Sequence, residues 1–268
     1  LRGPSLCMST GCASSSDAIG LAMTMLRANA ADAMVVVGAD THVRWETLLS
    51  MELLGVLATK RRERAEACSR PFDRDRDGFV LGEGAWALVL ERAEHARRRE
   101  AGALAEMLGY GGRCGAHHRV RTAPDMEESA RAMRLAVGDA GLRMEDVDVV
   151  QWHGTSTELN DALETAAVKR AFGAHAPRLA GSSIKSMIGH PQGACGAAAM
   201  VATIASLANL DGGAGPFVPP TINLDEPDEA CDLDYIPNVA RPTNARTALV
   251  NCLAFGAKNS AIVLRVNG

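Results

Sequence analysis

An α/β fold, with sheets covered by helices, is predicted by three observations. Strand-like and helix-like segments alternate along the chain, two segments share one strand, glycine-turn, helix pattern, and 47% hydrophobic content over 268 residues allows a sizeable core.

The elements follow in order. Residues 5–8 are a short apolar run read as a strand; a small-residue turn around Gly11 follows, then a helix over 17–30 with Ile19, Ala22, Met23 and Leu26 on one face. Next come a strand over 33–38, an irregular helical segment over 46–57, a loop through Arg70-Pro71-Phe72-Asp73, a strand over 85–91 and a charged helix over 92–100. These form a first domain, residues 1–102. A second domain, 103–268, holds a strand over 103–110, a helix over 126–140, a strand over 147–152, a helix over 161–172, a strand into Ser182-Ser183, and a long helix from Gly193. A connection containing Pro216, Pro219, Pro220 and Pro227 leads to final strands over 248–252 and 261–266. The pattern of residues 5–26 recurs in residues 179–207, and each is followed by a strand pair, which suggests an internally duplicated architecture.

Composition narrows the function classes. Lys plus Arg is 28 and Asp plus Glu is 32, a net charge of −4 without long charged blocks, which argues against nucleic acid as a partner. The apolar stretch 194–210 is rich in Gly and Ala and too short for a membrane span, so it reads as a buried helix. Seven scattered cysteines, never spaced C-x-x-C, argue against a disulfide framework or a structural zinc site and indicate a reducing, cytoplasmic setting. Leu1 opens directly into what reads as a domain interior, so an upstream segment is expected.

Three residues at strand-to-helix junctions could carry chemistry together. Cys12, in Ser9-Thr10-Gly11-Cys12-Ala13-Ser14, precedes a helix whose N-terminus would lower a thiol pKa. His153 opens His153-Gly154-Thr155-Ser156-Thr157 at the carboxyl end of a strand, and His190 ends Lys185-Ser186-Met187-Ile188-Gly189-His190. Singly, a cysteine is more often a small buried hydrophobe and a histidine more often structural. As a set they could activate a thiol nucleophile and stabilise an oxyanion.

The ordered series of these three motifs and Phe255-Gly256-Ala257-Lys258-Asn259 resembles that of the beta-ketoacyl-acyl-carrier-protein synthases. Supporting segments are Ser69-Arg70-Pro71-Phe72-Asp73, Asp77-Gly78-Phe79-Val80-Leu81-Gly82-Glu83-Gly84 and Pro219-Pro220-Thr221-Ile222-Asn223-Leu224-Asp225. The resemblance implies the thiolase-like fold, a duplicated five-layer αβαβα arrangement with its first half incomplete here. It implies a decarboxylating Claisen condensation of fatty-acid or polyketide biosynthesis: Cys12 takes the acyl group, and malonyl carrier protein loses carbon dioxide and attacks the thioester. His153 and His190 would stabilise the enolate, Lys185 would set the electrostatics of His190, and Glu164 would be a structural acid of the site. The N–H groups of Cys12 and Phe255 would form an oxyanion hole, and Thr155 and Thr157 would meet the phosphopantetheine arm. Met51, in the segment 51–57, would line the acyl pocket. No cofactor is implied beyond phosphopantetheine on the acyl carrier protein, which would be the partner, and the complete protein would be a homodimer.

Departures and rivals bear on this reading. Residues 253–258 replace a more glycine-rich gating loop, and the added Cβ atoms restrict φ. A non-catalytic chain-length or carrier-docking partner would not need all three residues, and thiolases pair one histidine with a second cysteine. Asp73-Arg74-Asp75-Arg76-Asp77-Gly78 resembles the opening of a calcium loop, but position 84, where the Glu is required, is Gly. His117-His118 lacks further ligands at usable spacing, so no metal site is expected.

Overall fold

Backbone hydrogen bonding in the computed structural model, which describes residues 2–210, 212, 213 and 215–267, sorts most strands into two sheets joined by helices. In chain order the elements are α1 (Ser14–Arg27), β1 (Ala33–Asp40), α2 (Trp45–Leu53), β2 (Gly84–Glu91), α3 (Ala93–Arg98), β3 (Ala105–Cys114), α4 (Glu127–Asp139) and β4 (Val149–Gln151). They continue with α5 (Glu158–Phe172), β5 (Ala180–Ser182), α6 (Lys185–Ile188), α7 (Cys195–Leu207), β6 (Phe217–Val218), β7 (Arg241–Pro242), β8 (Thr247–Ala254) and β9 (Lys258–Val266).

The larger sheet runs β3-β9-β8-β4-β5. Strand β4 is parallel to β5 and β8, whereas β9 is antiparallel to β3 and β8. Every residue of β8 is buried, because helices cover both faces and erase the usual polar alternation. Alternate residues still part company: Leu249 and Leu253 face a core built with α4 and α5, while Ala248 and Val250 face one built with α1, α7 and β1. Helix α4 lies so close to β3 that a Cβ on Gly111 would come within 2.1 Å of the Ala132 carbonyl oxygen. Helices α1 and α7 cross at a similarly close contact, where a Cβ on Gly196 would meet Ser16 Oγ at 2.1 Å.

Beyond α1 and α7 lies the second sheet, β1 paired antiparallel with β2. The succession is thus helices, sheet, helices, sheet, four layers of the expected five. The echo in the sequence has its counterpart here. In one half α7 is followed by the antiparallel pair β8–β9, in the other α1 by β1–β2. The outer faces differ: Val35, Val37 and Val89 are exposed, where α4 covers the equivalent face of the larger sheet.

The expected strand over 5–8 does not form, and Leu6 is exposed. A strand needs a ladder partner. Its counterpart β5 obtains one from β4, but among the described residues no strand stands between 5–8 and β1. The strand expected over 103–110 continues to Cys114, with a bulge between Met107 and Gly109. The apolar stretch 194–210 contains α7 and is largely buried, and among the described residues no helix is long and apolar enough to cross a membrane.

Candidate active site

Cys12 ends a turn that α1 closes. The Ser14 hydroxyl donates to the Gly11 carbonyl at 2.6 Å and accepts the Thr10 N–H at 2.9 Å. Thr10 Oγ1 donates to one oxygen of Asp17 at 2.6 Å, and the Tyr110 hydroxyl donates to the other at 2.9 Å. Gly11 takes φ of +66°, which a residue without Cβ adopts at low cost. The turn presses Cys12 against Ala13, Cys195, Cys252 and Ala254. A helix N-terminus alone predicts a lowered thiol pKa, and the structure corrects this. Desolvation by burial dominates and pushes the Cys12 thiol up, with the Lys185 ammonium opposing it.

His153 leaves the sheet just past β4, and buried carboxylates fix its path. Its backbone N–H and that of Gly154 both donate to Glu164 at 2.8 Å, and Asn251 Nδ2 donates to the same carboxylate at 2.6 Å. Burial raises the Glu164 carboxyl to about 7 in spite of these three bonds. Asp161, one turn earlier on α5, accepts N–H bonds from Thr155 at 2.9 Å, Ser156 at 3.1 Å and Phe72 at 2.8 Å. That anchorage holds Ser156 at φ of +70°, a strained conformation for a residue with a Cβ. Lys185 Nζ donates to the His153 carbonyl at 2.5 Å. That bond ties the buried Lys185 side chain to the backbone that carries the His153 ring.

His190 is pinned from the other side. Its N–H donates to the Val80 carbonyl at 2.7 Å, and its own carbonyl accepts from Gly82 N at 3.1 Å. Phe79 packs edge-on against the ring at 5.3 Å. His190 Nε2 then stands 3.1 Å from Cys12 Sγ, and the two histidine rings lie 5.3 Å apart at 86°. Cys12, His153 and His190 thus converge, with their donor atoms all within 4.8 Å of one another. Desolvation holds both imidazoles neutral, His153 down to about 3 and His190 also lowered, and Lys185 pushes both in the same direction. A neutral His190 can take the thiol proton, and two neutral rings can donate N–H bonds toward an oxyanion.

The remaining expected residues are distributed around this group. Thr155 and Thr157 pair through their hydroxyls at 2.9 Å, and Thr157 also caps α5 by accepting the Asn160 N–H at 3.3 Å. Phe255 sits in the β8–β9 turn, with its carbonyl 4.0 Å from where a Gly11 Cβ would stand, so its backbone borders the Cys12 turn. Met51 is half-buried on α2, a helix with no buried residue, outside the core group around Cys12. Gln192, Asp161 and Asn251 were not expected. Cys12 Sγ donates to Gln192 Oε1 at 3.7 Å, Gln192 has φ of +39°, and its buried Nε2 has no hydrogen-bond partner among the described residues. A polar residue two positions after His190, at the entrance to an apolar helix, is the signal that could have marked it.

Two family models match the chain, "Beta-ketoacyl synthase, N-terminal domain" over residues 1–96 and "Beta-ketoacyl synthase, C-terminal domain" over residues 104–225. The chain belongs to the beta-ketoacyl synthase family. Among relatives, it is 42% identical over 264 residues to the 3-oxoacyl-[acyl-carrier-protein] synthase 2 of Coxiella burnetii, covering 98% of this chain and 62% of that protein. The ketosynthase of the AntDE:AntF complex, a type II polyketide synthase structure with its acyl-carrier protein and a bound hexaketide, superposes with a TM-score of 0.92. It is 36% identical and is covered to 62%, against 97% of this chain. A beta-ketoacyl synthase from Burkholderia phymatum gives 0.89 at 37% identity, with 97% of this chain and 61% of that one covered. These likenesses carry the thiolase-like fold to this member of the family. The chain spans about three fifths of the length of the relatives it matches.

Proposed function

We propose that this chain carries the catalytic centre of a beta-ketoacyl synthase, an acyltransferase that performs the decarboxylative condensation of a Cys12-bound acyl group with malonyl acyl carrier protein in fatty-acid or polyketide biosynthesis. The observation that carries the proposal is the approach of His190 Nε2 to Cys12 Sγ at 3.1 Å with His153 alongside. His190 accepts the thiol proton as Cys12 attacks the incoming thioester, the backbone N–H groups of Cys12 and Phe255 receive the developing oxyanion, and His190 returns to neutral by passing the proton to the carrier thiolate that leaves as the acyl group moves to Cys12. Both imidazoles, neutral by burial, then donate to the enolate formed when malonyl loses carbon dioxide; such a donor typically contributes about 10²–10³ in rate. Lys185 and Glu164 are positioning residues, since both hold the backbone at His153.

Acyl groups arrive on phosphopantetheine, with Thr155 and Thr157 beside its path, and the reaction needs no other cofactor. A homodimer in the cytoplasm completes the proposal, and seven free cysteines suit a reducing compartment. Intact-mass spectrometry after incubation with acyl carrier protein thioesters tests the first step: one acyl adduct is expected, absent in Cys12→Ala. Carbon dioxide release from malonyl carrier protein tests the second and separates condensation from thiolase-type exchange. An adduct elsewhere, or acylation of Cys12 without decarboxylation, would overturn the assignment.

A further inference from the structure

Two thiols with no role in the proposed reaction meet behind the nucleophile. Cys195 opens α7 and Cys252 lies within β8, and both are buried. Their sulfur atoms are 3.5 Å apart, and Cys252 Sγ is 3.6 Å from His153 Nδ1. Each thiol also reaches the Cys12 carbonyl oxygen at 3.1 Å. Donor atoms of His153, Cys195 and Cys252 all lie within 4.8 Å of one another.

The separations resemble the edges of a zinc coordination tetrahedron. With Zn–S of about 2.3 Å and Zn–N of about 2.0–2.1 Å, two sulfurs stand about 3.8 Å apart and a sulfur and a nitrogen about 3.6 Å apart. The Cys195–Cys252 and Cys252–His153 separations of 3.5 and 3.6 Å lie close to those edges, and Cys195 and His153 are within 4.8 Å. Charge favours this trio over the neighbouring Cys12, His153, His190 group. Two thiolates neutralise a divalent cation completely in a buried site, whereas one leaves a buried positive charge.

We propose that Cys195, Cys252 and His153 Nδ1 form a binding site for a thiophilic divalent cation, zinc. On binding, two thiols and one neutral imidazole become a neutral Zn(Cys)₂(His) centre, two protons leave to solvent, and a water supplies the fourth ligand. Occupancy removes both thiol hydrogen bonds from the Cys12 carbonyl and clamps the His153 ring. Zinc therefore inhibits the condensation; that consequence rests on the proposed function, whereas the binding itself does not.

The test uses the whole chain, reduced and stripped of metal, without carrier proteins. Equilibrium dialysis against Zn²⁺ is expected to give one ion per chain, and Co²⁺ substitution is expected to give the thiolate-to-metal charge-transfer band of two sulfur ligands. Cys195→Ala and Cys252→Ala each weaken zinc binding at least about tenfold, and Cys12→Ala leaves it within about threefold. Cys252→Ser, which keeps the volume and a donor for the Cys12 carbonyl while removing the soft ligand, shows the same loss if the alanine variant fails to fold. Absence of stoichiometric binding would overturn the site. So would retention in the Cys195 and Cys252 variants with loss in Cys12→Ala, which places the ion on the other trio. Zinc binding by a chain that releases no carbon dioxide even when free of zinc would leave this site standing and sink only the proposed reaction.

Discussion

His153 and His190 are held neutral by burial, and that has a measurable cost in acid. His153 falls from the ordinary 6.5 to about 3, so below pH 6.5 the unfolded chain takes up a proton that the folded chain refuses. Its stabilising contribution is fully present above pH 6.5 and is lost as pH falls toward about 3. Urea unfolding as a function of pH should show His153→Asn flattening the slope in this window by about 1.4 kcal/mol per pH unit. An unchanged slope would mean that His153 is solvated. Glu164 supplies a second prediction, because its carboxylate accepts three N–H bonds at the point where His153 leaves the sheet. Glu164→Gln turns an amide donor toward one of those N–H groups. A loss of about 1–3 kcal/mol in unfolding free energy is expected, with a fall in condensation rate at unchanged Cys12 acylation if His153 alone is displaced. Cys12, His153 and His190 were legible as motifs. Gln192 was not, since only the fold brings its amide to the sulfur.

The elements that place these residues depend on glycines and small side chains as much as on apolar periodicity. Gly111 on β3 lets α4 approach until its carbonyls nearly touch the sheet, and Gly196 on α7 does the same for α1. Gly111→Ala should force α4 outward and cost more than about 3 kcal/mol, read as a drop in the denaturation midpoint. A change within about 0.5 kcal/mol would show the contact to be slack. Helices α1 and α4 were visible as amphipathic stripes, and β8 as an apolar run. The failed strand over 5–8 has the composition of a strand and no ladder partner, and pairing is not a local property. The β8–β9 turn bears out the concern over lost glycines at one position: Ala257 sits at φ of +54°, where a Cβ costs about 1–2 kcal/mol.

At the scale of the molecule, the larger sheet is covered on both faces and the smaller on one. Val35, Val37 and Val89 are 43%, 57% and 69% exposed on the outer face of β1–β2. The chain should bind a hydrophobic dye there, and Val35→Thr, Val37→Thr and Val89→Thr together should reduce the fluorescence while changing stability by less than about 0.5 kcal/mol per site. Undiminished dye binding would place the sticky surface elsewhere.

The α/β class and most of the element order were legible in the residues, because periodicity and glycine turns are written locally, and the motif series, by its resemblance to a family, pointed to the duplicated halves and to the three residues that meet. Only packing set the company that Cys12 keeps and the direction in which burial pushes its thiol. The helix terminus predicted an acidic thiol, but desolvation depends on how closely distant segments pack, and it proved the larger effect. Cys195 and Cys252 look like scattered hydrophobes along the chain. Folding sets them side by side against His153, since only packing brings residues 57 positions apart within a few ångströms.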